Sequence, residues 1–198
     1  MSKSSIPALL FAFLLLSLPT LYGESSPPNI ILLYADDLGY TDLSCQGSDY
    51  YRTPNIDRLA KEGMTFTNAY AAAANCAPSR ASLMTGLYTP RHGVFTVGNS
   101  DRGKAAHRRL IPATNKTVLT RDLPTMAQIL KHAGYRTAVA GKWHLSDDPI
   151  PYGFDTNFGG LKWGAPKSYF SPYRNPKLKD GPKGEHLPAR LATDLCHW

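Results

Sequence analysis

The chain has 198 residues, a formal net charge of +7 and 42% hydrophobic residues, which suits a single domain with a real core and excludes a globally disordered chain. Its three cysteines (Cys45, Cys76 and Cys196) exclude a disulfide-dense scaffold and contain no CxxC pair for a zinc ribbon, and sixteen Gly with sixteen Pro exclude a simple helical bundle. The positive balance comes with no recognised nucleic-acid-binding motif, so nucleic acid is set aside as a partner.

The N-terminus reads as an address. Lys3 gives a positive n-region, Ile6 to Leu18 is an apolar run, and Gly23 is a small residue at a cleavage position. This is the pattern of a secretory signal peptide over residues 1–23. The run is short of the roughly twenty apolar residues a stable membrane span needs. An exported protein is therefore expected, in a compartment where Cys45 and Cys196 could pair although nothing in the sequence requires it.

After Pro27-Pro28, Asn29 to Tyr34 is a continuous Ile- and Leu-rich run, as in a strand buried on both faces of a parallel sheet. Asp36, Asp37 and Gly39 follow it. Residues 54–63 predict a short helix with Pro54 at its start, Gly63 at its stop and Ile56, Leu59 and Ala60 on one face. Met64 to Tyr70 predicts a second strand, and residues 78–85 a second helix closed by Gly86. Residues 87–121 read as irregular and contain Asn115-Lys116-Thr117, an N-glycosylation acceptor in a host that glycosylates. Residues 122–133 predict the clearest helix, with Leu123, Met126, Ala127, Ile129 and Leu130 forming its apolar stripe and Gly134 stopping it. Tyr135 to Ala140 predicts the third strand. Strand, helix, strand, helix, strand is an α/β pattern with a parallel sheet. After residue 160 the periodicity is lost. Residues 161–198 carry seven Lys or Arg against three acidic residues, and read as a solvated basic tail or a surface for anions.

Three segments carry chemistry, each just after a predicted strand, where ligands bind in open α/β sheets. The adjacent carboxylates Asp36 and Asp37 offer hard oxygens for Ca2+ or Mg2+, and both reach one ion only if the chain turns there. They also fit an ordinary turn or helix cap. Cys76 precedes a helix start, where free N–H groups favour an anion, and Arg80 follows at i+4. The same residues suit a small buried thiol and a surface charge. In Gly141-Lys142-Trp143-His144, Lys142 and His144 share a side if the chain is extended, one able to hold an oxyanion and the other to move a proton, while Trp143 points into packing. Read alone, the segment fits a polar loop around one buried Trp better.

Taken together, these segments resemble the type I, formylglycine-dependent sulfatases. Cys76-Ala77-Pro78-Ser79-Arg80 with Leu83, Thr85 and Gly86 is similar to the first family signature, and Gly134-Tyr135-Arg136-Thr137 through Gly141-Lys142-Trp143-His144 to the second. Asn29 to Asp37, Thr53-Pro54-Asn55-Ile56-Asp57 and Gly153-Phe154-Asp155 add to a resemblance spanning about residues 28–160. Asn75 departs from the less polar residue usual before the signature Cys.

The resemblance implies an alkaline-phosphatase-like α/β fold: a doubly wound, mostly parallel sheet with helices on both faces. It implies that a formylglycine-generating enzyme oxidises Cys76 to an aldehyde, hydrated to a gem-diol. One hydroxyl then attacks sulfur of a sulfate ester and the alcohol leaves. Deprotonation of the second hydroxyl expels sulfate and regenerates the aldehyde. Asp36, Asp37 and Cys76 would hold Ca2+ (ahead of Mg2+), Arg80 and Lys142 the hydrate and sulfate, and His144 would assist proton transfer. Substrates would be sulfated carbohydrates or aryl sulfates, in a secreted, periplasmic or lysosomal setting. The family's later segments, which supply further metal ligands and another His and Lys, find no match. Residues 24–160 are therefore expected to be the N-terminal part of a catalytic domain and 161–198 a tail of a truncated one. A phosphonate or phosphodiester hydrolase of the same superfamily, and an inactive secreted fragment binding sulfated glycans, are the alternatives.

Overall fold

The computed structural model describes residues 26–198. The leader read over 1–23 lies outside the described residues. The chain divides into two compact units, Met1–Ala35 and Asp36–Trp198.

In the first unit, described residues 26–35 form neither helix nor strand. The strand expected over Asn29 to Tyr34 is thus corrected: Ile31 is 84% exposed and its apolar neighbours are open as well. The reason is pairing. A strand exists only where its N–H and C=O groups find a ladder, and among the described residues the one named sheet has two strands, both later in the chain. The strand expected over Met64 to Tyr70 fails for the same reason, and Phe66 is 73% exposed.

In the second unit, α1 spans Pro54–Glu62. Pro54 occupies the first turn, where its missing N–H costs nothing. Asp57 accepts from Thr53 Oγ1 at 2.8 Å and from the Cys45 N–H at 3.0 Å, fixing the entry. The expected apolar stripe of α1 forms, but Ile56 and Leu59 face solvent. Helix α2 spans Cys76–Thr85, starting two residues earlier than the sequence predicts, so Cys76 opens the helix instead of preceding it. Gly86 closes α2 at φ 67°, a left-handed C-cap that favours glycine. A single turn, α3, covers Thr89–His92.

Helix α4 spans Met126–His132. Its start is later than expected because Thr125 and Gln128 build a capping box: Thr125 Oγ1 accepts from the Gln128 N–H, and Gln128 Oε1 from the Thr125 N–H. The strand expected from Tyr135 narrows to β1, Ala138–Ala140, which pairs in parallel with β2, Thr156–Phe158, at register Val139 opposite Asn157. The 161–198 stretch, read as irregular, ends in a helix, α5, Leu187–His197, whose Leu187, Leu191 and Leu195 fall at four-residue spacing and which buries no residue.

The core gathers Ala77 and Ala81 of α2, Ala127 of α4, and Val94, Leu119, Trp143, Leu145, Tyr152 and Phe154. Trp143 is its centre. Its ring meets Tyr152 at 5.4 Å and Phe154 edge-on at 5.7 Å, and its Nε1–H donates to Ser146 Oγ. That burial anchors the turn leaving β1, and so places the residues on either side of Trp143.

Candidate active site

The turn after β1 begins at Gly141, whose φ of +83° disfavours a side chain and whose N–H donates to the Phe158 carbonyl at 2.9 Å. Trp143 points into the core as expected. Lys142 and His144, the residues on either side, escape it and lie beside the start of the second unit.

There, the Asp36 carboxylate is held by two cations. Arg80 Nη2 approaches Oδ1 at 3.1 Å and Lys142 Nζ approaches Oδ2 at 2.5 Å. Arg80 Nη1 also donates to the Lys142 carbonyl at 2.6 Å. Burial pushes the Asp36 carboxyl up, but the Lys142 hydrogen bond and the Arg80 charge outweigh it, leaving it below the usual carboxylate value. Three residues singled out from sequence, far apart in the chain, therefore meet. Arg80 lies one helical turn from Cys76, and the half-buried Cys76 sits in the first turn of α2.

Asp37 takes a φ of 52°, so the chain turns immediately after Asp36. The turn required for the two carboxylates is present, yet Asp37 is exposed. Among the described residues, no group of three His, Cys, Asp or Glu side chains could hold a metal ion. The two carboxylates have the hard-oxygen chemistry of a Ca2+ site, but both Asp36 oxygens already face cations. As arranged, the described residues do not fit a Ca2+ shell.

His144 has a φ of +67°, and its N–H donates to the Leu161 carbonyl at 2.8 Å. Its Nδ1 is buried without a hydrogen-bond partner. Burial first, then the Lys142 and Arg80 charges, push the imidazole below its ordinary pKa, with Asp36 opposing. A neutral imidazole beside two cations can accept a proton, and the cations can hold an anion.

The sequence reading missed one residue of the surroundings and the partner of another. Gly164 lies against the His144 ring. Asn75, the departure noted before Cys76, holds the N-cap position of α2 without a side-chain capping bond, and its Nδ2 instead donates to Thr96 Oγ1 at 3.1 Å. Neither has a signal in local sequence, since each depends on which distant loop folds back.

Four findings from known proteins bear on this geometry. A family model described as Sulfatase matches residues 28–194, past the limit of the resemblance read from motifs. Human N-acetylgalactosamine-6-sulfatase is 37% identical over 157 residues, covering 77% of this chain and 28% of the relative. The crystal structure of Ps i-CgsB superposes with a TM-score of 0.66 at 30% identity, over 86% of this chain and 40% of that one. The structure of BT4656 in complex with its substrate D-glucosamine-2-N,6-O-disulfate superposes with a TM-score of 0.52 at 38% identity, over 66% of this chain and 22% of that one. The chain thus spans little more than a quarter of the curated relative's length.

Proposed function

The chain belongs to the sulfatase family, with its alkaline-phosphatase-like α/β fold, and on that premise we propose that it serves the hydrolysis of a sulfate monoester, with Cys76 as the site of formylglycine formation. One observation carries this reading: Arg80 and Lys142 converge on a single carboxylate beside the helix that Cys76 opens. Two cations able to hold a carboxylate can hold the equatorial oxygens of a sulfate.

Oxidised to formylglycine, Cys76 supplies a hydrated aldehyde, the nucleophile a thiol cannot provide. The remaining steps fall to the chain's own side chains. Arg80 offers a planar fork with one arm fixed on the Lys142 carbonyl, which sets its orientation. Lys142 adds a point charge on the other side of the bound anion. His144, kept neutral by burial and by the same cations, takes or returns the proton at the hydrate. With both Asp36 oxygens facing Arg80 and Lys142, the Ca2+ expected on Asp36, Asp37 and Cys76 has no fitting shell among the described residues, and no step of this reading is routed through a metal.

The substrate is read as a sulfated carbohydrate or aryl sulfate, and maturation as the work of a formylglycine-generating enzyme. Export follows from the leader pattern of residues 1–23. Among the described residues no helix is long and apolar enough to cross a membrane.

The test is mass spectrometry of the Cys76 peptide from protein made in its native host, paired with sulfate release from a sulfated monosaccharide and from p-nitrophenyl sulfate. An aldehyde at Cys76 and turnover lost in Cys76→Ala are expected. A thiol at Cys76 with turnover intact would overturn the reading. Turnover of a phosphodiester in place of the sulfate esters would favour the phosphodiesterase alternative.

A further inference from the structure

His144 is aimed without the usual device. An imidazole is normally oriented by a hydrogen bond at one ring nitrogen so that the other can act. Here Nδ1 is buried and has no such partner. The backbone at φ +67° is one that side-chain-bearing residues rarely adopt, so it also needs external support.

That support comes from the segment after β2. The His144 N–H is bonded to the Leu161 carbonyl, and the neighbouring Gly141 N–H to the Phe158 carbonyl. The segment is itself pinned. Asn157 bonds Gly160 through both ends of its amide, and Asn175 Nδ2 donates to the Gly159 carbonyl at 2.9 Å. Three residues beyond Leu161 stands Gly164. A Cβ placed on Gly164 would lie 3.0 Å from His144 Cε1 and 3.2 Å from Nε2, closer than ordinary van der Waals contact. Unlike Gly141 and Gly159, Gly164 is not among the glycines with positive φ. Its backbone would accept alanine, so what a side chain here meets is the imidazole, which would have to shift by a few tenths of an ångström to admit it.

We propose that Gly164 is a positioning residue for His144: its bare Cα is the wall against which the imidazole rests, setting the direction of Nε2. The proposal rests on the proton-transfer role read for His144 only in its consequence for rate. The packing claim stands on geometry alone.

The experiment uses the full chain. In the wild type, a nuclear Overhauser effect is expected between His144 Hε1 and the Gly164 Hα protons, with the imidazole resonance assigned by its loss in His144→Gln. Gly164→Ala is expected to shift that Hε1 resonance while circular dichroism stays unchanged. It should also lower kcat for p-nitrophenyl sulfate by about threefold or more with KM little changed, since the rate is steep in the placement of a reacting group. Absence of the Overhauser effect in the wild type would overturn the proposal, and so would an unmoved Hε1 resonance in folded Gly164→Ala. Should Gly164→Ala not fold, the wild-type Overhauser effect decides. Wild-type protein that shows the Overhauser effect but releases no sulfate would count against the sulfatase reading and leave the packing claim supported.

Discussion

Arg80 Nη1 donates to the backbone carbonyl of Lys142 at 2.6 Å, tying the second turn of α2 to the exit of β1 across 62 positions of sequence. The same guanidinium reaches Asp36 with Nη2. One planar fork thus holds a carbonyl and a carboxylate at once, and an ammonium cannot reproduce that geometry. Arg80→Lys keeps the charge and is expected to lose the carbonyl bond, destabilising the chain by about 1.5–3 kcal/mol, the usual worth of a hydrogen bond to a charged group. Thermal unfolding followed by circular dichroism reads it. A melting temperature equal to wild type would show that the tie contributes nothing.

A second prediction concerns His92, fully buried at the end of α3. Its Nδ1 accepts from the Val94 N–H at 3.1 Å, so the neutral ring carries its proton on Nε2 and donates to Ser82 Oγ on α2 at 3.0 Å. Burial pushes its pKa below the ordinary imidazole value. The folded state therefore prefers the neutral ring, and the unfolded chain binds the proton first as pH falls. This contribution is complete above about pH 6.5 and is lost as pH drops toward the folded value. His92→Gln cannot titrate and keeps a donor for Ser82. Urea unfolding from about pH 7.5 down to about pH 5 should show wild type losing stability relative to His92→Gln. Parallel pH curves would refute the linkage.

Asp155 is the corresponding acid. The Lys131 ammonium at 2.5 Å and the Thr137 N–H at 2.9 Å hold its carboxyl down to about 2, below the usual carboxylate range. These bonds fasten the last turn of α4 to the residues entering both strands. A depressed carboxyl stabilises the fold above its unfolded value and loses that contribution as pH falls through its folded one. Asp155→Asn should thus be the less stable protein at neutral pH, and its deficit should shrink between about pH 4 and about pH 2. A deficit constant across that window would mean that packing, not charge, accounts for it.

These residues also mark what sequence could and could not convey. Helix stops were legible because they are local: Gly63, Gly86 and Gly134 each fall where a helix ends. Of the site, Asp36, Arg80 and Lys142 were legible as motif members, and they do converge. The strands over Asn29 to Tyr34 and Met64 to Tyr70 were not correctly read, because an apolar run states that a segment can be buried, while a strand also needs a ladder partner elsewhere in the chain. Gly164 was invisible for a related reason. A glycine needed for another residue's side chain leaves no trace at its own position in sequence.

Asn115 carries the last prediction. Its Oδ1 accepts from the N–H groups of Phe95 and Thr96 at 2.6 and 3.1 Å, and its Nδ2 donates to the carbonyls of Thr96 and Gly98. Every part of the amide is used to close the 95–115 loop. Thr96 in turn accepts from Asn75, the N-cap residue beside Cys76, so the loop bears on the entrance of α2. A glycan on Nδ2 would replace one of two hydrogens that are both engaged, which sets glycosylation at Asn115-Lys116-Thr117 against the folded loop. Asn115→Asp is the sharper probe. It keeps the acceptor but turns the other end of the side chain into an oxygen facing two carbonyls. Asn115→Asp should therefore cost more than Asn115→Ala, and Asn115→Ala itself about 1–3 kcal/mol for the backbone groups left unpaired. Limited proteolysis should cut the 95–115 loop faster in both variants. If both resist cleavage as wild type does, the loop is held by something other than this amide.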